Sequence, residues 1–188
     1  MEPVVIDLGI NNQRDPLEIK LEGLDDLSNN NSGMDFGGGL ELLMNEKKKG
    51  TSGDMGLSEL SDLENDLNDL SKDAEIIITM LPDGEIVDEV IDTILYNLKE
   101  GTLITDCSTI DVNKAKTLHK KCNARKVLFL DAPVSGGVGG AENGTLTFMV
   151  GGSENAYEIM LPLFELMGKK SLLCGSYGTG QATKACNN

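Results

Sequence analysis

The chain has 188 residues, 39% of them apolar, and a formal net charge of −15. Its length allows one ordinary domain plus an extension, and its charge excludes non-specific attraction to nucleic acid or to an anionic membrane surface. No stretch approaches the ~18–20 apolar residues that cross a bilayer, and the acidic N-terminus has neither the apolar core of a signal peptide nor the arginine-rich face of a transit peptide; a cytoplasmic protein is expected.

The acidity is uneven. Residues 1–70 hold 16 acidic and 5 basic side chains, and residues 71–188 hold 15 and 11. Two units follow: an acidic, low-complexity, irregular to helical leader over 1–70, and an α/β unit over 71–188. In the leader, VVIDLGI reads as a short strand. SNNNSGMDFGGG and KKKGTSGDMG are polar and glycine-rich, costly to order and with little to bury. FGGGLELLMNEKKK is similar to a short motif in uncharacterised proteins of large DNA viruses, which implies no activity. LSELSDLENDLNDL repeats leucine at 57, 60, 63, 67 and 70 with acids opposite, which predicts an amphipathic helix wanting a partner, either lying on the adjoining domain or half disordered, with a dedicated interaction motif as the other reading. GDMG at 53–56 follows charged linker rather than a buried strand, so it is no dinucleotide loop.

From residue 74 strand alternates with helix. AEIIITMLP is a β-branched run closed by proline, and DGEIVDEVIDTILYNLKEG has helical periodicity with Gly101 as its predicted C-cap. TLITDCST predicts a strand, and DVNKAKTLHKKCNA a helix capped by Ser108, Thr109 or Asp111. KVLFLDAPVSGG runs as a strand into a loop, TLTFMVGG is a strand, SENAYEIMLPLFELMG a helix, and SLLCGSYGTG a last strand before the final turn. This alternation predicts a parallel α/β sheet with ligands beyond the carboxyl ends of its strands.

The loops at those ends are Leu81-Pro82, CSTID at 107–111 and DAPVSGG at 131–137, built from small, polar and glycine residues that let backbone groups approach a ligand. Gly178-Thr179-Gly180 then opens a helix carrying Lys184 about one turn inside. Lys184 and Asn188, four apart, share a helix face. Cys107, Cys122, Cys174 and Cys186 form no CxxC pair and His119 is the single histidine, so metal-ligand spacing is absent and reduced thiols are expected.

Taken in order, IITMLP, TDCSTID, FLDAPVSGGVGGAENGTLTFMVGG and GTGQATKACNN over residues 74–188 resemble the 3-hydroxyisobutyrate dehydrogenase branch of the β-hydroxyacid dehydrogenases. The resemblance implies hydride exchange between NAD or NADP and a small 3-hydroxy acid or its semialdehyde. It implies Lys184 as general acid/base, Ser135, Gly136, Gly137 and Asn188 on the substrate, and Thr109 with Leu81 and Pro82 on the cofactor. The related 6-phosphogluconate dehydrogenases carry a histidine where this chain has Asn187, which disfavours that specificity; tartronate semialdehyde reductase shares nearly all of the signatures and stays open.

The family's G-x-G-x-x-G turn and its long C-terminal helical domain have no counterpart in the sequence. A partial Rossmann-like sheet lacking its first βαβ unit is therefore expected, in a truncated or fused chain of weak activity and impaired cofactor binding. The apolar strand at 76–80 would stand as an open edge unless VVIDLGI or the leucine-striped helix covers it. A helix ending so soon after Lys184 would be only marginally stable by itself. A complementing chain or a homo-oligomer could supply missing structure, and a non-catalytic interaction protein recruiting a partner through its leader is the competing reading.

Overall fold

A run of apolar and β-branched residues can be buried on both faces of a sheet at once, and in Ile76–Met80 the first four residues are buried while Met80 is exposed. A computed structural model of the protein describes residues 3–7, 67–69 and 71–187. Its elements are β1 (Pro3–Asp7), β2 (Ile76–Met80), α1 (Gly84–Leu95), β3 (Leu103–Asp106), α2 (Val112–Ala124), β4 (Leu128–Asp131), β5 (Val134–Ser135), α3 (Gly137–Glu142), β6 (Leu146–Gly151), α4 (Glu154–Met167), β7 (Gly168–Gly175) and α5 (Thr179–Asn187). The sheet runs β1-β2-β3-β4-β6-β5, and β7 also pairs with β6.

β1 to β4 are parallel throughout. Pro3–Asp7 lies against Ile76–Met80, so the first residues of VVIDLGI, with Pro3 before them, provide the strand that covers the apolar edge. The rest of the leader lies outside the described residues, apart from the end of the leucine-striped segment. There residues 67–69 are helical and Leu67 is buried in the core, as expected of a helix lying on the domain.

Beyond β4 the sheet departs from the all-parallel expectation and is mixed. β6 runs antiparallel to β4 and β5, and β7 runs parallel to β6. The connections account for both. Ser135 and Leu146 are joined by a short segment whose only helix, α3, has six residues, too little for a crossover. Between β6 and β7, α4 has fourteen, enough to return the chain to the same end of the sheet.

Alternation along the strands divides the core. Ile77, Ile104 and Phe129 face α1 and α2, joining Val87, Ile91, Ile94, Leu118 and Cys122. Ile76, Ile78, Leu103 and Leu130 face α4, joining Phe148, Val150, Met160 and Phe164. α1 ends at Leu95, well short of Gly101, which instead turns the chain into β3 with its N–H on the Lys126 carbonyl. Of the three candidate caps for α2, Asp111 is used, accepting from the N–H groups of Asn113 and Lys114. Asp88 on α1 pairs with both Lys114 and Lys121 on α2, fixing the two helices on one face.

Candidate functional site at the carboxyl ends of the strands

β2, β3 and β4 end together, and the same antiparallel register that pairs Asp131 with Gly151 brings the end of β6 to that level. The site is built around Asp131. Its side chain is fully buried, Oδ1 accepts the Gly178 N–H at 2.7 Å, and Oδ2 accepts the Gln181 N–H at 3.0 Å. A helix start leaves N–H donors without intrahelical partners, and the residue ahead of α5 is Gly178, at φ +85°, which has no side chain to cap them. The cap comes instead from a strand end 47 residues earlier in the chain. Thus α5 is held at its start, where a helix of nine residues alone would be marginal.

Glycine is needed for that contact. A Cβ on Gly151 would lie 2.5 Å from Oδ1 of Asp131, and one on Gly180 would lie 2.5 Å from the Asp131 carbonyl oxygen. His119 of α2 stacks on Tyr177, in the turn ahead of α5, at 11° between ring planes. Burial pushes the His119 pKa down.

Gln181, 2% exposed, makes the second connection. Its Oε1 accepts the Ile110 N–H at 3.1 Å and its Nε2 donates to the Ser108 carbonyl at 2.7 Å. These two peptide groups bracket Thr109. Cys107, Ser108 and Ile110 are buried, and Thr109 alone of the four is exposed. Ser108 Oγ in turn accepts the Leu81 N–H at 2.8 Å, tying the loop after β2 to the loop after β3.

Beside Asp131 stands Asp106, its partner in the β3–β4 register. Asp106 Oδ1 accepts from Thr79 Oγ1 at 2.9 Å and from the Ser108 N–H at 3.2 Å, while Oδ2 has no partner among the described residues. Burial pushes Asp106 up to about 6, against the hydrogen bonds of Ser108 and Thr79 and helped by the charge of Asp131. Burial likewise raises Asp131 to about 6, with the N–H groups of Gly178 and Gln181 opposing it.

The residues expected to act are distributed over this end of the sheet. Lys184 is half-buried, one turn into α5 and three residues after Gln181, with no ion-pair partner among the described residues. Thr109 and Pro82 are exposed on their loops; the Leu81 side chain is buried in the core beside α1, so only its backbone faces the loop. Ser135 is half-buried on β5, paired with Thr147, and sits about 13 Å beyond Asp131 along the strand direction. Gly136 and Gly137 follow it at φ +137° and +61°, and a Cβ on Gly137 would meet nothing within 4 Å. No hydrogen bond among the described residues joins Ser135, Gly136 or Gly137 to α5. Asn188 lies outside the described residues.

Asp131 and Gln181 were not among the residues singled out from sequence. The one available signal was a buried-type strand ending on aspartate, LFLD, followed much later by a glycine-started helix with a glutamine in its first turn. Cys107 and Cys122 are buried free thiols, and burial pushes Cys122 up to about 12. Among the described residues no group of three or more histidine, cysteine or acidic side chains could hold a metal ion, and no helix is long and apolar enough to cross a membrane.

Comparison with known proteins gives the same assignment from several sides. Residues 45–176 match the family model described as the NAD binding domain of 6-phosphogluconate dehydrogenase. The chain is 48% identical over 122 residues to the mitochondrial 3-hydroxyisobutyrate dehydrogenase of Drosophila melanogaster, covering 64% of this chain and 38% of that protein. It is 44% identical over 123 residues to the NAD-dependent L-serine dehydrogenase of Pseudomonas aeruginosa, covering 64% of this chain and 41% of the relative. The fold superimposes on the Mycobacterium tuberculosis 3-hydroxyisobutyrate dehydrogenase solved with L-serine, with TM-score 0.63 and 43% identity over 64% of this chain and 41% of that one. The chain thus spans about two fifths of the length of the curated relatives it matches. With the Rossmann-like parallel strands β1 to β4, the crossover helices and a family match over most of its length, the chain belongs to the family of the 6-phosphogluconate dehydrogenase NAD-binding domain, on its 3-hydroxyisobutyrate dehydrogenase-like side.

Proposed function

We propose that residues 71–188 are part of the dinucleotide-binding domain of an NAD(P)-dependent dehydrogenase acting on a small 3-hydroxy acid, or on its semialdehyde in reverse, with Lys184 as the general acid/base. The observation that carries this reading is the Gln181 bridge, which joins the helix of Lys184 to the loop that exposes Thr109. A proton-transfer group and a cofactor-facing loop are thereby held in one rigid arrangement.

The residues present fit the nicotinamide end of a dinucleotide. Thr109 and Pro82 offer exposed positions beyond the ends of β3 and β2, where ligands of open α/β sheets bind. No G-x-G-x-x-G spacing occurs in the sequence, so the pyrophosphate lacks its usual glycine turn and affinity is expected to be low. When bound, the nicotinamide supplies the hydride acceptor or donor. Lys184 Nζ takes the substrate hydroxyl proton as hydride leaves the carbon and returns it in the reverse direction, a contribution of about 10²–10⁴-fold.

Ser135 supplies a hydroxyl, and Gly136 and Gly137 supply backbone N–H groups, with open space above Gly137, for the substrate carboxylate. Asn188 orients the same substrate. 3-Hydroxyisobutyrate and L-serine, both named among the relatives, share a carboxylate and a primary alcohol on carbon 3, separated by the α-carbon, so this substrate class suits one carboxylate clamp and one lysine.

The test is oxidation of 3-hydroxyisobutyrate and of L-serine, and reduction of tartronate semialdehyde, by the 188-residue chain with NAD and NADP, beside Lys184→Ala. The reading expects slow turnover with at least one pair, abolished by the substitution. Turnover that survives Lys184→Ala, or a folded chain that neither turns over any of the three nor binds either reduced cofactor, would refute it.

A further inference from the structure

We infer that Asp131 and Gln181 are positioning residues that fix Lys184 and Thr109 relative to one another; the inference rests on the proposed roles of those two residues. Neither touches solvent appreciably, so neither is placed to meet a ligand itself. Each instead makes two hydrogen bonds that join separate segments at the carboxyl ends of the strands.

The connections form one chain of contacts. The end of β4 holds the start of α5 through the two carboxylate oxygens of Asp131. Gln181 carries the connection to the 107–111 loop through both atoms of its amide, and Ser108 passes it to Leu81 through its hydroxyl. A carboxylate against a helix N-terminus is a favourable charge arrangement, and it is held in low dielectric where it is strong. The arrangement leaves no slack, because a Cβ on either Gly151 or Gly180 would run into Asp131.

Chemistry also restricts which residues can serve. Asparagine has the shape of aspartate but offers one oxygen and one NH2, so one of the two N–H donors from Gly178 and Gln181 would face another donor. At position 181, only a side chain with an acceptor and a donor on one planar group can satisfy the Ile110 N–H and the Ser108 carbonyl together. A lateral shift of Lys184 by about 1 Å costs on the order of 10²-fold in a reaction that depends on alignment.

Asp131→Asn and Gln181→Met in the full chain, followed by residue-resolved amide hydrogen exchange and by NADH titration, test the inference. Asp131→Asn is expected to speed exchange in α5 by about tenfold or more while α1 and β2 keep their protection. Gln181→Met is expected to speed exchange at Ile110 similarly and to weaken the NADH response at Thr109 with α5 still protected. Unchanged exchange at α5 in the first variant, or at Ile110 in the second, would overturn the inference, as would loss of protection spread evenly over the domain. Should Asp131→Asn not fold, Gln181→Met decides alone. A wild-type chain without NADH response would count against the proposed function, while the exchange pattern would still decide for or against positioning.

Discussion

Asp106 and Asp131 stand side by side at the ends of β3 and β4 as register partners, both fully buried, and each is raised to about 6. Their ordinary value is 3.8, so the folded chain binds these two protons more tightly than the unfolded chain does. The stabilisation is fully present below pH ~4 and is lost as pH rises through ~6. Denaturation midpoints measured from pH 4 to 7 should therefore fall across that window from this pair. In Asp106→Asn the fall should be smaller; a stability that falls as steeply in the variant as in the wild type would contradict the assignment.

Thr79 donates its hydroxyl to Asp106 in a site with no water-facing alternative. Thr79→Val keeps the shape and removes the donor, which should destabilise the fold by about 1–3 kcal/mol at pH 7, where the carboxylate is charged. At pH 4 the same substitution should cost less. Paired urea titrations at the two pH values check this.

Gly180 enters α5 against backbone on two sides, the Met149 and Asp131 carbonyls. Gly180→Ala should improve local helix propensity yet destabilise the protein by about 1–3 kcal/mol, because the helix must lift from β4 and β6. A midpoint equal to or above wild type would show that α5 is not held as described.

β1 protects the apolar β2 from acting as an open edge. Val5→Pro removes a backbone donor and should weaken this pairing, raising the aggregation rate at fixed concentration with little change in the α4 face of the core. Light scattering beside near-ultraviolet dichroism separates the two effects.

The elements that the sequence disclosed were those governed by local rules. The continuous burial along residues 76–79, the Asp111 cap and the short strand in VVIDLGI all depend on neighbours a few residues away, and the motif order disclosed the family. The antiparallel turn of β6 was harder to read, since its direction depends on how little chain joins it to β5 rather than on its own composition. Asp131 and Gln181 were not legible as site residues because their meaning lies in contacts spanning 47 to 73 positions. The resemblance puts Leu81 on the cofactor, whereas its apolar side chain is drawn into the core and its N–H is held by Ser108 Oγ.

The most direct measurement is an NMR titration of the full chain with NADH to millimolar concentration, following backbone amides. The account predicts saturable shifts concentrated at Ser108, Thr109, Ile110 and the start of α5, with the α1–α2 face unmoved. A folded chain whose 107–111 and 178–184 amides do not respond, or whose shifts lie elsewhere on the sheet, would contradict the assignment of this end of the strands as a cofactor site.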